Sequence, residues 1–157
     1  MAINRIYNHE VLTGVATFDL EPWSDAERSQ WFTDHDPAVT PVLTAEISGA
    51  LVGFAYIARF GSKPGYSYAR ENTVFVDPSF QRRGIGRRLL EAIIEEARTV
   101  GAHTLIARIE ATNSASIELH RVAGYAVTGR EHEIGRKFDR WLTVVVMTLT
   151  LDAPDPD

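Results

Sequence analysis

The 157-residue sequence contains no cysteine. This absence excludes disulfide bonds, zinc sites built from thiolates and a covalent cysteine intermediate, so any group transfer is direct or uses another nucleophile. The sequence also lacks an apolar run long enough to cross a bilayer. Its first residues, MAINRIYNHEV, lack the apolar stretch of an export signal. We therefore expect a cytoplasmic protein with no membrane partner.

Basic charge is scarce as well. The chain has 16 lysines and arginines against 21 acidic residues, which gives a formal net charge of -5. Binding to nucleic acid in general needs a broad basic surface, so we expect no nucleic-acid partner. The hydrophobic content of 45% is typical of a globular protein. We predict one domain over residues 1–151 and a disordered tail over 152–157, because DAPDPD has nothing to bury.

The order of apolar patterns and turn residues predicts a mixed α and β fold. A first helix is expected over residues 3–12, and a second begins at Ser24, since SDAE places Glu27 three residues after a capping serine. The residues expected to face inward are Ile6, Tyr7 and Val11 in the first helix and Trp31 and Phe32 in the second.

Strands and helices alternate through the rest of the chain. Two strands, 41–47 and 50–60, flank the polar pair Ser48 and Gly49, which predicts a hairpin. The other predicted elements are a strand at 69–76, a long helix at 85–100, a strand at 103–110, a helix at 114–123, and strands at 125–132 and 141–151.

The most informative stretch is QRRGIGRRLL, residues 81–90, which lies between a predicted strand and the long helix. Such a turn directs free backbone amides and the positive end of the helix dipole at one point, and glycines allow a ligand to approach closely. Four arginines in seven residues add positive charge. The pattern favours a compact anion such as a pyrophosphate, and the alternative is a helix start whose arginines face water.

QRRGIGRRLL resembles the acetyl-coenzyme A pyrophosphate loop of the GNAT superfamily of N-acetyltransferases. ENTVFV, NSASIELHRVAGY and GRKFDRWLTVVVM resemble its phosphinothricin and methionine sulfoximine N-acetyltransferase branch, and the similarity extends from residue 6 to 151. The resemblance implies an α/β GNAT fold, with a mixed, mainly antiparallel twisted sheet flanked by helices. It implies direct acetyl transfer from acetyl-coenzyme A to the amine of a small amino acid or analogue. Relatives are usually homodimers and usually begin with a strand, so we expect a homodimer in which the first edge strand of the family is absent.

Two residues are candidates for proton transfer. Glu71 lies in an apolar strand where burial would raise its pKa toward the working pH, although the residues alone favour a glutamate that faces water or pairs with Arg70. His120 follows Ser116 by one helical turn and could exchange protons near pH 7 or be a satisfied surface histidine. The resemblance implies that Glu71 is the base. For His120 it leaves open an acid, a partner of Glu71 or a residue that positions the cofactor.

The resemblance also implies the ligand contacts. The pyrophosphate loop would comprise Gln81, Arg82, Arg83, Gly84, Ile85, Gly86 and Arg87. Asn113 and Ser116 would contact the cofactor arm, although both are also suited to cap a helix. The backbone of Val74, Phe75 and Val76 would pair with the pantetheine amides if the strand separates from its neighbour. Phe18 and Tyr66 would lie near the acceptor.

Some features depart from the family pattern or leave alternatives open. Arg70 and Arg136 are unusual cations that either favour an acceptor with extra negative charge or are simply exposed. The remaining histidines show no metal-ligand spacing, so no metal is expected. The alternative activities are acetylation of a peptide amino terminus or a polyamine, and a sensor that binds acetyl-coenzyme A without turnover.

Overall fold

A computed structural model describes residues 2–151 of the protein, and the predicted tail at 152–157 lies outside the described residues. A six-stranded, mostly antiparallel sheet carries helices on both faces, as the fold prediction required. The helices are α1 (Ala2–Thr13), α2 (Asp25–Asp34), α3 (Ile85–Thr99) and α4 (Ser114–Val122). The strands are β1 (Val42–Ile47), β2 (Ala50–Arg59), β3 (Ala69–Val76), β4 (Thr104–Glu110), β5 (Ala126–Lys137) and β6 (Arg140–Thr150).

The strand order is β1-β2-β3-β4-β6-β5, and the β3–β4 pair is parallel while the other neighbours are antiparallel. Within the described residues, β1 and β5 form the two edges of the sheet. Because successive strand residues point to opposite faces, β2 and β3 each contribute to two cores. One core lies under α3 and includes Ala55 and Leu90, and the other lies under α1 and includes Phe54 and Phe75.

The start of α2 was predicted correctly, but its buried face was predicted only in part, since Trp31 packs edge-on against Tyr56 of β2. Ser24 and Glu27 form the predicted capping box. Phe32, however, is 48% exposed, and the residue that α2 buries is Arg28, which is 2% exposed. The Arg28 guanidinium lies 4.2 to 4.8 Å from the ring centres of three aromatic residues, an arrangement in which cation–π attraction offsets part of the cost of burial. Those residues are Tyr7, Trp23 and Trp31.

The last hairpin is longer than predicted. The sequence suggested that its first strand ends at His132, whereas β5 continues to Lys137, which pairs with Arg140. Lys137 is buried, and its Nζ donates to the carbonyl of Thr17 at 2.9 Å. This bond ties the hairpin to the loop between α1 and α2, a contact across 120 residues of sequence that no local pattern reveals.

Candidate active site

The site is built around a gap between two central strands. β3 and β4 are paired from Ala69 to Glu71 on one strand and from Thr104 to Ile106 on the other. Beyond these residues β3 pairs with β2, and β4 pairs with β6. The separation leaves one backbone edge of β3 from Val74 to Val76 facing the gap. Backbone groups of an unpaired strand edge can form hydrogen bonds with an added extended chain. The strand separation that an extended ligand needs is therefore present.

The turn before α3 has the backbone of an anion-binding loop. Arg82 and Gly84 both have positive φ, at 60° and 79°, and alternation of left- and right-handed residues points successive amides into one concavity. No side chain caps the α3 N-terminus at Gly84, so the amides of the first turn, from Ile85 on, remain available to a ligand. At Gly86, an added Cβ would contact Leu119 and Val76, both at 3.6 Å.

The side chains of this turn are mostly exposed and make few hydrogen bonds within the protein. Gln81 Nε2 donates to the Val76 carbonyl at 3.3 Å, and Arg83 donates to the Ser79 carbonyl at 3.1 Å. Arg87 is paired with Glu91 at 2.7 Å on the surface of α3. Exposed pairs of this kind contribute little stability, so these side chains can turn to a bound anion at small cost.

Glu71 lies on the face of β3 that packs toward α1 and α2. Burial raises the pKa of the Glu71 carboxyl, the nearby Arg108 lowers it, and Glu131 raises it. Arg108 donates through Nε, at 3.1 Å, and through Nη2 to one oxygen of Glu131, and both side chains are more than a third exposed. A desolvated carboxylate beside an exposed ion pair is suited to exchange a proton with an amine.

His120 lies on the other face of β3. The Nδ1 atom lies 2.8 Å from the Ser116 carbonyl oxygen, and because a carbonyl can only accept, Nδ1 is the donor. The other ring nitrogen, Nε2, then accepts a hydrogen bond from the Asn72 amide at 3.0 Å. The Tyr125 hydroxyl donates to the Asn72 carbonyl oxygen at 2.9 Å. Burial lowers the pKa of the His120 imidazole. The three side chains thus form a buried, neutral network with both ring nitrogens of His120 satisfied.

Glu71 and His120 are therefore not brought together, since Asn72 follows Glu71 on the strand and points to the opposite face. Sequence reasoning singled out the two titratable residues and missed Asn72, Tyr125 and Arg108. A polar residue next to Glu71 in an apolar strand was the available signal for Asn72. Likewise, a single arginine within the apolar strand TLIARIE was the signal for Arg108.

The other predicted contact residues have partners within the protein. Asn113 caps α4, where its side chain accepts from the Ser116 amide at 3.1 Å. Phe18 packs closely against Gly135 of β5, where an added Cβ would clash with the Phe18 ring. Tyr66 lies edge-on to Phe60 with ring centres 5.4 Å apart and is half exposed. The ligand contacts expected of these residues remain predictions.

The two unusual cations, Arg70 and Arg136, differ in burial and in their partners. Arg70 is buried, which neither expectation for it foresaw, and it donates to the carbonyls of Val39, Ser67 and Ala69 at 2.7 to 3.1 Å. These bonds hold the loops beside β3, so the role of Arg70 is structural. Arg136 is exposed, as one alternative held, and pairs with Asp139 at 3.1 Å.

Comparison with known proteins identifies the class. Residues 3–125 match the model of the acetyltransferase (GNAT) family. The chain is 40% identical to an L-methionine sulfoximine/L-methionine sulfone acetyltransferase of Salmonella typhimurium, over 98% of this chain and 92% of that protein. It is 34% identical to a phosphinothricin N-acetyltransferase of Alcaligenes faecalis, over 98% of this chain and 79% of that protein.

A solved structure gives the same result. An acetyltransferase from Salmonella typhimurium, determined with its cofactor acetyl-coenzyme A, superposes with a TM-score of 0.92 at 38% identity, over 98% of this chain and 90% of that one. The chain therefore belongs to the GNAT acetyltransferase family, which confirms the predicted family and fold. It is an acyltransferase that uses acetyl-coenzyme A as cosubstrate.

Two further observations concern residues 2–151. No helix within this range is long and apolar enough to span a membrane. Nor do the described residues contain a group of three or more histidines, cysteines and acids that could hold a metal ion.

Proposed function

We propose that the protein transfers the acetyl group of acetyl-coenzyme A to the amine of a small amino acid or amino acid analogue of the methionine sulfoximine or phosphinothricin type. The observation that carries the proposal is the position of Glu71, a desolvated carboxylate at the point where β3 and β4 separate. The names of relatives that are 34 to 40% identical support the acceptor class. The lack of cysteine in the chain supports a direct transfer.

Acetyl-coenzyme A fits the residues present. The amides of Arg82 to Arg87 and the surrounding guanidinium groups suit a pyrophosphate, since charge-assisted bonds and a helix N-terminus both favour anions. The open edge of β3 from Val74 to Val76 would hold the amides of the pantetheine arm, with Asn113 and Ser116 beside it. The thioester would supply the activated acetyl group. Holding acyl donor and amine together supplies much of the rate acceleration.

Glu71 would accept the proton that an ammonium group must lose before it can attack a carbonyl carbon. The new bond joins the amine nitrogen to the acetyl carbon, the bond from that carbon to sulfur breaks, and the sulfur leaves as a thiolate that must gain a proton. Phe18 and Tyr66 would border the acceptor.

His120 acts by positioning under this proposal. In the described arrangement its one ring proton is bonded to the Ser116 carbonyl, and its other nitrogen accepts from Asn72, so neither nitrogen presents a proton to the sulfur. The network holds α4 against β3 and so keeps one wall of the gap in place. Of the three roles that the sequence left open, this geometry favours positioning.

The setting of the enzyme is part of the proposal. We infer a cytoplasmic enzyme that binds neither nucleic acid nor membranes, supported by the net charge of -5 and the absence of cysteine. We infer a homodimer, supported by exposed large apolar residues on the last hairpin, which are Val127, Ile134, Phe138 and Trp141. Light scattering at several concentrations tests the dimer.

The activity is tested by release of free coenzyme A from acetyl-coenzyme A with a panel of amines. The panel comprises methionine sulfoximine, methionine sulfone, phosphinothricin, ordinary amino acids, a polyamine and a short peptide. Saturation by the free amino acids or analogues at modest concentration supports the proposal. Saturation by the peptide or the polyamine alone would contradict it, and binding of acetyl-coenzyme A without release would indicate a sensor.

A further inference from the structure

Arg108 is placed where an amino acid acceptor would present its carboxylate. Glu71 pairs in register with Ile106 of β4, so these two residues share a face of the sheet. Arg108 follows Ile106 by two positions and lies on that same face. It is the first β4 residue on the Glu71 face beyond the separation of the strands. An α-amino acid bears its carboxylate on the carbon that bears its amine, so an amine at Glu71 brings its carboxylate close to this guanidinium.

The Arg108 guanidinium is held in place by Glu131 and still has N–H donors for another partner. Its Nε and Nη2 both donate to the same oxygen, Oε2, of Glu131, and the side chain remains 38% exposed. A guanidinium has donors on three nitrogens and binds carboxylates in a planar fork. The Nη1 edge of Arg108 is therefore suited to bind a second carboxylate, while Glu131 fixes the plane of the group.

Three other basic residues near the site have partners of their own. Arg70 is buried and donates to three backbone carbonyls. Lys137 is buried and donates to the Thr17 carbonyl. Arg136 pairs with Asp139 on the hairpin. Of these cations, Arg108 is the one that is both partly exposed and close enough to Glu71 to influence its carboxylate.

We propose that Arg108 binds the carboxylate of the acceptor and so selects amino acids over simple amines, with Glu131 as the residue that positions its guanidinium. The inference rests on the proposed function, because it assumes an amino acid acceptor whose amine meets Glu71. It assigns the choice of acceptor to an ion pair between β4 and β5 and not to Arg70 or Arg136.

The test compares methionine sulfone with its carboxamide, which keeps the amine and side chain and loses the negative charge. The readout is the ratio of kcat/KM for the acid to kcat/KM for the amide, taken on the pH plateau of each variant. In Arg108→Gln this ratio should fall by about 10- to 100-fold, the usual effect of losing a hydrogen bond between charged groups. Calorimetry of methionine sulfone binding to the protein saturated with coenzyme A should show a similar rise in Kd without turnover.

Three further variants separate binding from structure. Arg108→Lys keeps the charge without the fork and should retain part of the preference. Glu131→Gln removes the ion pair and keeps the arginine, so the preference should fall by about two- to fivefold, less than in Arg108→Gln, because the positive charge remains but its carboxylate partner is gone. Arg130→Gln is the matched control, because Arg130 is exposed and is the neighbour of Glu131 on β5, pointing to the other face. Its ratio should not change.

The outcomes are distinct. An unchanged ratio in Arg108→Gln, with wild type active, overturns the inference and leaves the acetyltransferase activity standing. An equal loss in Glu131→Gln and Arg108→Gln also overturns it, because the pair would then matter only as a structural link. If wild type releases coenzyme A with neither compound nor with any other amino acid, the proposed function fails and the inference fails with it.

Discussion

The two faces of β3 carry two ionisable networks that differ in how their charges are satisfied. On one face Glu71 is desolvated and lies beside an exposed ion pair, Arg108 with Glu131. On the other face His120 is buried, neutral and hydrogen-bonded at both ring nitrogens. Under the proposed function, the difference teaches that burial alone does not mark a catalytic group. The Glu71 carboxylate can take a proton, whereas the hydrogen bonds of His120 hold a structural network together.

The sharpest test of this contrast is Glu71→Gln. Glutamine keeps the size of the side chain and cannot accept the amine proton, so kcat should fall by about 10²- to 10⁴-fold. The pyrophosphate turn lies at the far end of β3, so calorimetry should give a Kd for acetyl-coenzyme A within about threefold of wild type. Equal turnover in the variant would remove Glu71 from the mechanism.

The neutral face should respond in stability. Asn72→Leu leaves the Tyr125 hydroxyl and one His120 nitrogen buried without partners, and each such loss costs about 1–3 kcal/mol. Urea denaturation should show a loss of unfolding free energy of about 2–5 kcal/mol. Tyr125→Phe removes one bond of the same network and should lose less. A loss for Tyr125→Phe as large as that for Asn72→Leu would mean that the network is not organised around Asn72.

The charged face should respond to pH. Arg108 lowers the pKa of Glu71 and Glu131 raises it. Removing the charge of Arg108 should therefore raise this pKa, and removing the charge of Glu131 should lower it. Under the proposed function, activity requires the Glu71 carboxylate and is lost as pH falls through its pKa, which burial raises above that of an ordinary glutamate. The acidic limb of kcat/KM should move to higher pH in Arg108→Gln and to lower pH in Glu131→Gln. Tyr56 also faces this carboxylate and is unchanged in both variants.

That experiment uses methionine sulfone carboxamide as the acceptor, so that loss of a carboxylate contact does not mix with the titration. The matched control is again Arg130→Gln, whose limb should coincide with that of wild type. Limbs that move in the same direction in both variants would show that Glu71 is not the group observed.

The glycine turn before α3 and most elements could be predicted because their signals are local. The capping box at Ser24, the glycine turn at 81–86 and the helix cap at Asn113 all lie within a few residues of sequence. The full length of β5 and the buried face of α2 could not be predicted from the sequence. They depend on contacts that Lys137 and Arg28 make with residues distant in the chain. For the site, the sequence indicated Glu71 and His120 but could not show that they face opposite ways with different partners.

The measurement that tests the contrast most directly is the pH dependence of kcat/KM in His120→Gln. Glutamine cannot titrate near neutral pH, and its side-chain oxygen can still accept from Asn72. We predict a plateau within about tenfold of wild type and an acidic limb at the same pH, because the limb belongs to Glu71. A fall of more than about 100-fold, or a limb that disappears or moves, would show that the imidazole exchanges protons in the reaction and would contradict the assignment of the two faces.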